Sequence, residues 1–164
     1  MVAIKNPHFL ASDLRKRFSY DPDTGVLRRN FTYGVKRGVV NFRKVKIDGI
    51  TILTPRLIWL LVYGYWPDVL IDHKDRDITN NRINNLREAS YEQNAQNKAC
   101  KNIHGLKGIT FKPGEKSPWM ARIQYNGSRI TLGHFITKGA AAEAYAKAAE
   151  KYFNDFSCLE VNNA

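Results

Sequence analysis

The stretch Ile71–Lys98, IDHKDRDITNNRINNLREASYEQNAQNK, decides how the rest of the chain is read. The apolar run Val69, Leu70 and Ile71 leads into Asp72 and His73 and predicts a strand with those two residues at its end. A loop dense in Asp and Asn follows. Ser90 with Gln93 three residues on is a capping box, in which the Ser oxygen and the Gln side chain satisfy each other's free backbone N–H groups. The box predicts a helix start and puts Asn94 in its first turns. A strand, a loop and a helix can thus bring Asp72, His73 and Asn94 to one point.

Those residue types make a hydrolytic set. Asp72 and Asn94 are oxygen donors suited to a hard cation such as Mg²⁺, which keeps several waters and takes one or two carboxylates from a protein. His73 is the side-chain type whose unperturbed pKa lets it take a proton from water near neutral pH. A metal to polarise phosphate and a His to activate water suffice to cut a phosphodiester.

The residues Asp72-His73-Lys74-Asp75, Asn80-Asn81, Asn84-Asn85-Leu86-Arg87 and Asn94 resemble the HNH homing-type endonucleases, a family with phage members. The resemblance implies a ββα-metal unit around one divalent ion, Mg²⁺ or Mn²⁺, and no zinc. It implies His73 as general base, Asn85 as the residue that pins the loop and orients the His, and Asp72 and Asn94 as metal ligands. Two positions depart from the family pattern: Arg76 stands where Gly is common, and Pro55-Arg56-Leu57 where many members read His-Arg-Leu. A calcium loop counted from Asp75 fails, because Asn80 and Leu86 stand where its Gly and bidentate Glu belong.

The chain has 164 residues and a net charge of +11, with a pI near 9.8, which favours a polyanionic partner. That length fits one domain or two small ones. The start, MVAIKNPHFLASDL, lacks the basic-then-apolar pattern of a signal peptide, and no run approaches the roughly 18 apolar residues of a membrane span. Cys100 and Cys158 are far apart and form no Cys-x-x-Cys pair, which speaks against structural zinc and fits free thiols in a reducing cytoplasm, a host cell's if the chain is phage-encoded.

Residues 9–18 predict a short helix with Leu10, Leu14 and Phe18 on one side. The run from Tyr20 to Leu27 reads as strand, tight turn and strand around Asp21-Pro22-Asp23-Thr24-Gly25. Arg28, Arg29, Lys36, Arg37, Arg43, Lys44 and Lys46, interleaved with Phe31, Tyr33 and Phe42, could lie along a nucleic-acid backbone or be a solvated face. Val45 to Thr54 predicts a hairpin about Asp48-Gly49. A helix capped by Thr54, with Pro55 first and Gly64 at its end, is apolar all round and therefore core. Trp59 and Trp66 read as packing.

From Lys98 to Gly105 no periodicity holds, and the stretch reads as a linker. Strand candidates follow at Lys107 to Lys112, Trp119 to Tyr125 and Arg129 to Phe135, with turns at Lys112-Pro113-Gly114-Glu115 and Asn126-Gly127. An Ala-rich helix from Thr137 to about Phe153 presents Ala141, Ala144, Tyr145, Ala148 and Tyr152. Leu106-Lys107-Gly108-Ile109, Trp119-Met120-Ala121-Arg122-Ile123, Leu132-Gly133-His134-Phe135 and Ala141-Ala142-Glu143-Ala144-Tyr145 resemble the DNA-binding domain of plant ethylene-response factors, the APETALA-like domain. That resemblance implies a sheet that enters the major groove, with Lys107, Lys112, Trp119, Arg122 and Arg129 as DNA-contact candidates. Thr131 stands where plant domains often have a contacting Trp. From Lys101 to His134 the cations Lys101, Lys107, Lys112, Lys116, Arg122 and Arg129 face only Glu115, which supports phosphate contact independently. His104 and His134 have no ligand cluster around them and read as structural or solvated.

The expected fold class is α+β: an HNH endonuclease module over 1–98, a linker over 99–105, and a three-stranded antiparallel sheet packed on one helix over 106–164. The expected function is metal-dependent, homing-type cleavage of double-stranded DNA, with no membrane partner and an oligomeric state the sequence leaves open. The alternative is a DNA-binding regulator whose nuclease module has decayed, with Arg76 and Pro55 as its marks.

Overall fold

The computed structural model describes residues 6–30, 38–40, 43–98 and 106–156. The basic and aromatic positions Phe31, Tyr33, Lys36, Arg37 and Phe42, the linker 99–105 with Cys100, Lys101 and His104, and Cys158 lie outside the described residues. The chain divides into two compact units, Met1–Asn94 and Ala95–Ala164.

The first unit begins with α1 (Ala11–Arg17), which buries Ala11 and Leu14. Leu10 precedes the helix and is exposed, so only Leu14 and Phe18 of the expected stripe reach the core. Strands β1 (Phe18–Tyr20) and β2 (Leu27–Arg29) pair antiparallel through Phe18↔Arg29 and Tyr20↔Leu27, and β3 (Gly38–Val39) adds to β2. Next come β4 (Lys44–Ile47) and β5 (Ile50–Leu53), joined by Asp48 and Gly49, both at positive φ. Two such residues in a row match the twist of the flanking strands, which is why Asp-Gly closes this hairpin.

The chain then enters α2 (Thr54–Tyr63). Leu53, not Thr54, occupies the N-cap, and Thr54 is itself the first helical residue, packed into the core. Gly64 ends the helix in the left-handed conformation. Every residue from Thr54 to Leu61 is buried, whereas Val62 and Tyr63 of the last turn are exposed. Leu57, Ile58 and Leu60 contribute at most about 1.5–3 kcal/mol each by leaving water, and they join Leu14, Phe18, Leu27, Val45, Ile47 and Ile52 in one core.

That core supports β6 (Leu70–His73) and β7 (Leu86–Ala89), an antiparallel pair in the register Leu70↔Ala89, Asp72↔Arg87 and His73↔Leu86. A 3-10 turn, Ile83–Asn85, leads into β7, and α3 (Tyr91–Asn97) follows it. Ser90 N–H donates to Gln93 Oε1 at 2.8 Å and Gln93 N–H to Ser90 Oγ at 3.1 Å, the reciprocal pair that starts α3.

The second unit is an antiparallel sheet of β8 (Ile109–Phe111), β9 (Trp119–Tyr125) and β10 (Ser128–Phe135), with β9 in the middle. Helix α4 (Lys138–Phe153) covers one face, and Thr137 caps it by accepting from Ala140 N–H at 3.2 Å. Ala141, Tyr145, Ala148 and Ala149 of α4 meet Ile109, Ala121 and Ile123 in a second core. Small side chains on the helix permit this close approach to the sheet. No helix among the described residues is long and apolar enough to cross a membrane.

Candidate functional site

Arg56 fixes the entry to the site. It is buried in α2 and donates to the carbonyls of Val69 at 2.6 Å and Pro67 at 2.8 Å and to Asn6 Oδ1. Burial pulls its pKa down, and the carbonyls it serves are those of the lead-in to β6. Residues that open the expected site therefore start from a held backbone.

At the end of β6, Asp72 and His73 are both buried, at 6% and 8% exposure. Asp72 faces its cross-strand partner: Arg87 Nε donates to Asp72 Oδ2 at 3.0 Å, and the Arg87 head makes an ion pair with the same oxygen. His73 Nε2 lies 3.1 Å from Asn81 Oδ1.

The loop between the strands is pinned by Asn85, which is 7% exposed. Its Oδ1 accepts from Asp75 N–H at 3.1 Å, and its amide donates to Asp75 Oδ1 at 2.9 Å and to Asn80 O at 2.8 Å. Its backbone carbonyl accepts from Lys74 N–H at 2.9 Å. Asn80 Nδ2 reaches the other Asp75 oxygen at 2.5 Å. Burial alone would raise the Asp75 carboxyl, but the donors from Asn80 and Asn85, with the Asp77 N–H behind them, outweigh it and hold it below the ordinary carboxylate range. Arg76, where the family commonly has Gly, adopts φ 68° in this loop and closes a turn by donating its N–H to His73 O at 3.0 Å.

Asn94 stands in the first turn of α3 with its N–H bonded to Ser90 O at 2.9 Å. Its side chain is half-buried and makes no hydrogen bond among the described residues, which leaves the amide oxygen open to a ligand. Asp72 and Asn94 are hard oxygen donors with one negative charge between them, and this chemistry fits a cation that keeps most of its waters. Among the described residues, no group of three or more His, Cys, Asp or Glu side chains could hold an ion by itself.

Reasoning from sequence gave no role to Arg87, Asn81, Asp75 or Tyr20. Arg87 could have been found from the hairpin register, since a residue directly across from Asp72 is its natural counter-ion. Asn81 was part of the quoted pattern without a partner. Tyr20 carried no local signal, because its contact lies 61 residues away: its hydroxyl donates to Asn81 O at 2.7 Å. Burial, with Asp21 nearby, pushes that hydroxyl up to about 12.

In the second unit, Arg122, Gln124, Arg129 and Thr131 share the sheet face opposite α4, because Arg129 pairs with Gln124 and Thr131 with Arg122. They line a concavity of about 350 Å³ together with Lys107, Gly108 and Thr110, among others, Thr131 excepted. Lys107 donates its ammonium to the carbonyls of Ala95, Gln96 and Lys98. Lys112 is half-exposed beside Glu115 at 3.7 Å, and His134 approaches the same carboxylate at 3.6 Å. Trp119 alternates with Ala121 and Ile123, packs on the α4 core and tilts against Phe111 at 4.7 Å. Of the five DNA-contact candidates, the structure thus groups Arg122 and Arg129 on the open face and sets Trp119 on the other.

The family model described as HNH endonuclease matches residues 53–96, the span from the end of β5 to α3. An uncharacterized HNH endonuclease of Acanthamoeba polyphaga mimivirus is 31% identical over 100 residues, covering 60% of this chain and 51% of that protein. The chain therefore spans about half the length of this curated relative. No solved structure matches it.

Proposed function

We propose, from the premise that residues 53–96 form an HNH endonuclease domain, that the chain is a metal-dependent DNA endonuclease of homing type. The observation that carries this reading is His73: a buried imidazole beside Asp72, with Nε2 held by Asn81 at 3.1 Å, inside the matched span. His73 takes a proton from the water that attacks the scissile phosphate, and Asn85 keeps the loop closed around it. Asp72 and Asn94 hold Mg²⁺ or Mn²⁺, which when bound supplies polarisation of the phosphate and stabilises charge on the leaving 3′ oxygen. The excess of cations gives the chain its attraction for the DNA backbone, and the Arg122–Arg129 face of the second unit lies along phosphates, as in the ethylene-response-factor domain it resembles.

The test is supercoiled plasmid incubated with the full chain in Mg²⁺, in Mn²⁺ and in chelator, beside His73→Ala. Conversion to nicked or linear DNA that needs both metal and His73 supports the reading, and DNA binding should survive the substitution. Full cleavage by His73→Ala sinks the mechanism.

One observation favours a second reading, a decayed nuclease that regulates by binding DNA. The Asp72 carboxylate is already balanced by Arg87, and a balanced charge has less need of a metal. In that case binding is metal-independent, and no strand breaks under any of the conditions above.

A further inference from the structure

The hairpin of β1 and β2 lies outside the span that the family model matches, yet its turn is seated on the loop that carries the site. Tyr20 donates to Asn81 O at 2.7 Å, and Arg82 Nε donates to Asp23 O at 2.7 Å. Gly25, at φ 75°, approaches so closely that an added Cβ would stand 2.6 Å from Arg82 N and 2.7 Å from Asn81 C. No other residue type fits there without moving one segment away from the other. The contact is therefore one of backbone against backbone, and it lands on the residue whose side chain meets His73. Tyr20, with its hydroxyl held protonated by burial, stays a donor throughout the physiological range.

Asn81 is pinned twice on its backbone, by Tyr20 at its carbonyl and by its own N–H to Thr79 O at 3.1 Å. Its amide oxygen then points at His73 Nε2. An amide oxygen only accepts, so the facing nitrogen must carry the proton. The partner of one ring nitrogen decides which nitrogen remains basic.

We propose that Asn81 and Tyr20 are positioning residues for His73: the hairpin holds Asn81 so that its Oδ1 keeps the neutral imidazole protonated on Nε2, which leaves Nδ1 as the nitrogen that takes the proton from water. This rests on His73 as the general base. It adds which nitrogen reacts and which distant element sets it.

The test is long-range ¹H–¹⁵N NMR of the full chain with ¹⁵N-labelled histidine, His73 being assigned by its disappearance in His73→Gln. Wild type should show a single Nε2–H tautomer for the neutral ring. Asn81→Ala should give a tautomer mixture, and Asn81→Asp, which keeps an acceptor, should restore the single form. Tyr20→Phe, checked for intact folding by thermal melting, should give a partial mixture and lower kcat for plasmid nicking about tenfold with KM unchanged, the scale seen for partners behind a functional His. An Nδ1–H tautomer in wild type, or no change in Asn81→Ala, overturns the proposal, and wild-type behaviour of Tyr20→Phe removes the hairpin from it. If the tautomers behave as stated while wild type cuts no DNA in either metal, the positioning stands and the nuclease reading falls. Cutting that ignores Asn81 has the opposite meaning.

Discussion

Arg87 and Asp72 form a cross-strand ion pair with 12% and 6% of their side chains exposed, Nε to Oδ2 at 3.0 Å. Removing one partner of such a pair strands the other charge away from water, which costs about 3–5 kcal/mol. Arg87→Ala should therefore unfold at markedly lower urea. If Asp72 is a metal ligand, Mg²⁺ should raise the melting temperature of Arg87→Ala by more than that of wild type, because the cation would then balance the stranded carboxylate. Equal shifts in the two proteins would argue against Asp72 as a ligand.

Asn85 satisfies both ends of the loop at once, through Asp75 and the Asn80 carbonyl. Asn85→Ala leaves a backbone N–H, a carboxylate oxygen and a carbonyl without their partner, and should cost about 2 kcal/mol. Hydrogen exchange at the Asp75 amide should accelerate before the rest of the unit does. An unchanged Asp75 amide would show that the loop closes without Asn85.

Tyr20 gives a pH signature at the alkaline end. Its folded pKa is raised from 10.0 to about 12, so the folded form holds the proton more tightly than the unfolded form. The contribution is fully present below pH 10 and is lost as pH rises through about 12. The stability gap between wild type and Tyr20→Phe, followed by urea unfolding, should narrow over that window. A gap that stays constant would mean that the hydroxyl is not buried against Asn81.

Arg76 occupies a left-handed backbone conformation, φ 68°, which is about 1–2 kcal/mol unfavourable for a residue with a Cβ. Arg76→Gly relieves that strain but adds freedom to the unfolded chain, so the net gain should be up to about 1 kcal/mol. A higher melting temperature is expected. A lower one would show that the Arg76 side chain contributes more than its backbone loses.

Trp119 and Arg129 should separate cleanly. Trp119 packs on the α4 side of the sheet, so Trp119→Ala should destabilise the second unit by about 3 kcal/mol. Arg129 lies on the open side, so Arg129→Ala should leave melting unchanged, weaken DNA binding and reduce the salt slope by about 1. A salt slope untouched by Arg122→Ala and Arg129→Ala together would take this face out of the interface.

The elements that were legible from sequence are those written by local rules. The Asp48-Gly49 hairpin, the Ser90–Gln93 capping box, the Gly64 stop and the Asn126-Gly127 turn all appear where the residues call for them. Each depends on the conformations open to a few neighbouring residues, which composition alone discloses. Leu10 and Thr54 show where such rules stop: helical spacing did not reveal that Leu10 falls one residue before the helix, nor capping preference that Thr54 would be drawn inside by the core.

The sequence by itself determined which residues have the chemistry for a hydrolytic site, Asp72, His73, Asn85 and Asn94, because side-chain type and local spacing are written in the chain. Only the tertiary structure decided how those groups are held. Arg87 faces Asp72 because of strand register, and Asn81 meets His73 because the loop folds back on itself. Tyr20 and Gly25 reach that loop from a hairpin more than fifty residues earlier. Contacts across such separations are set by close packing of the whole unit, in which each segment must fit all its neighbours at once, and no local pattern carries that information.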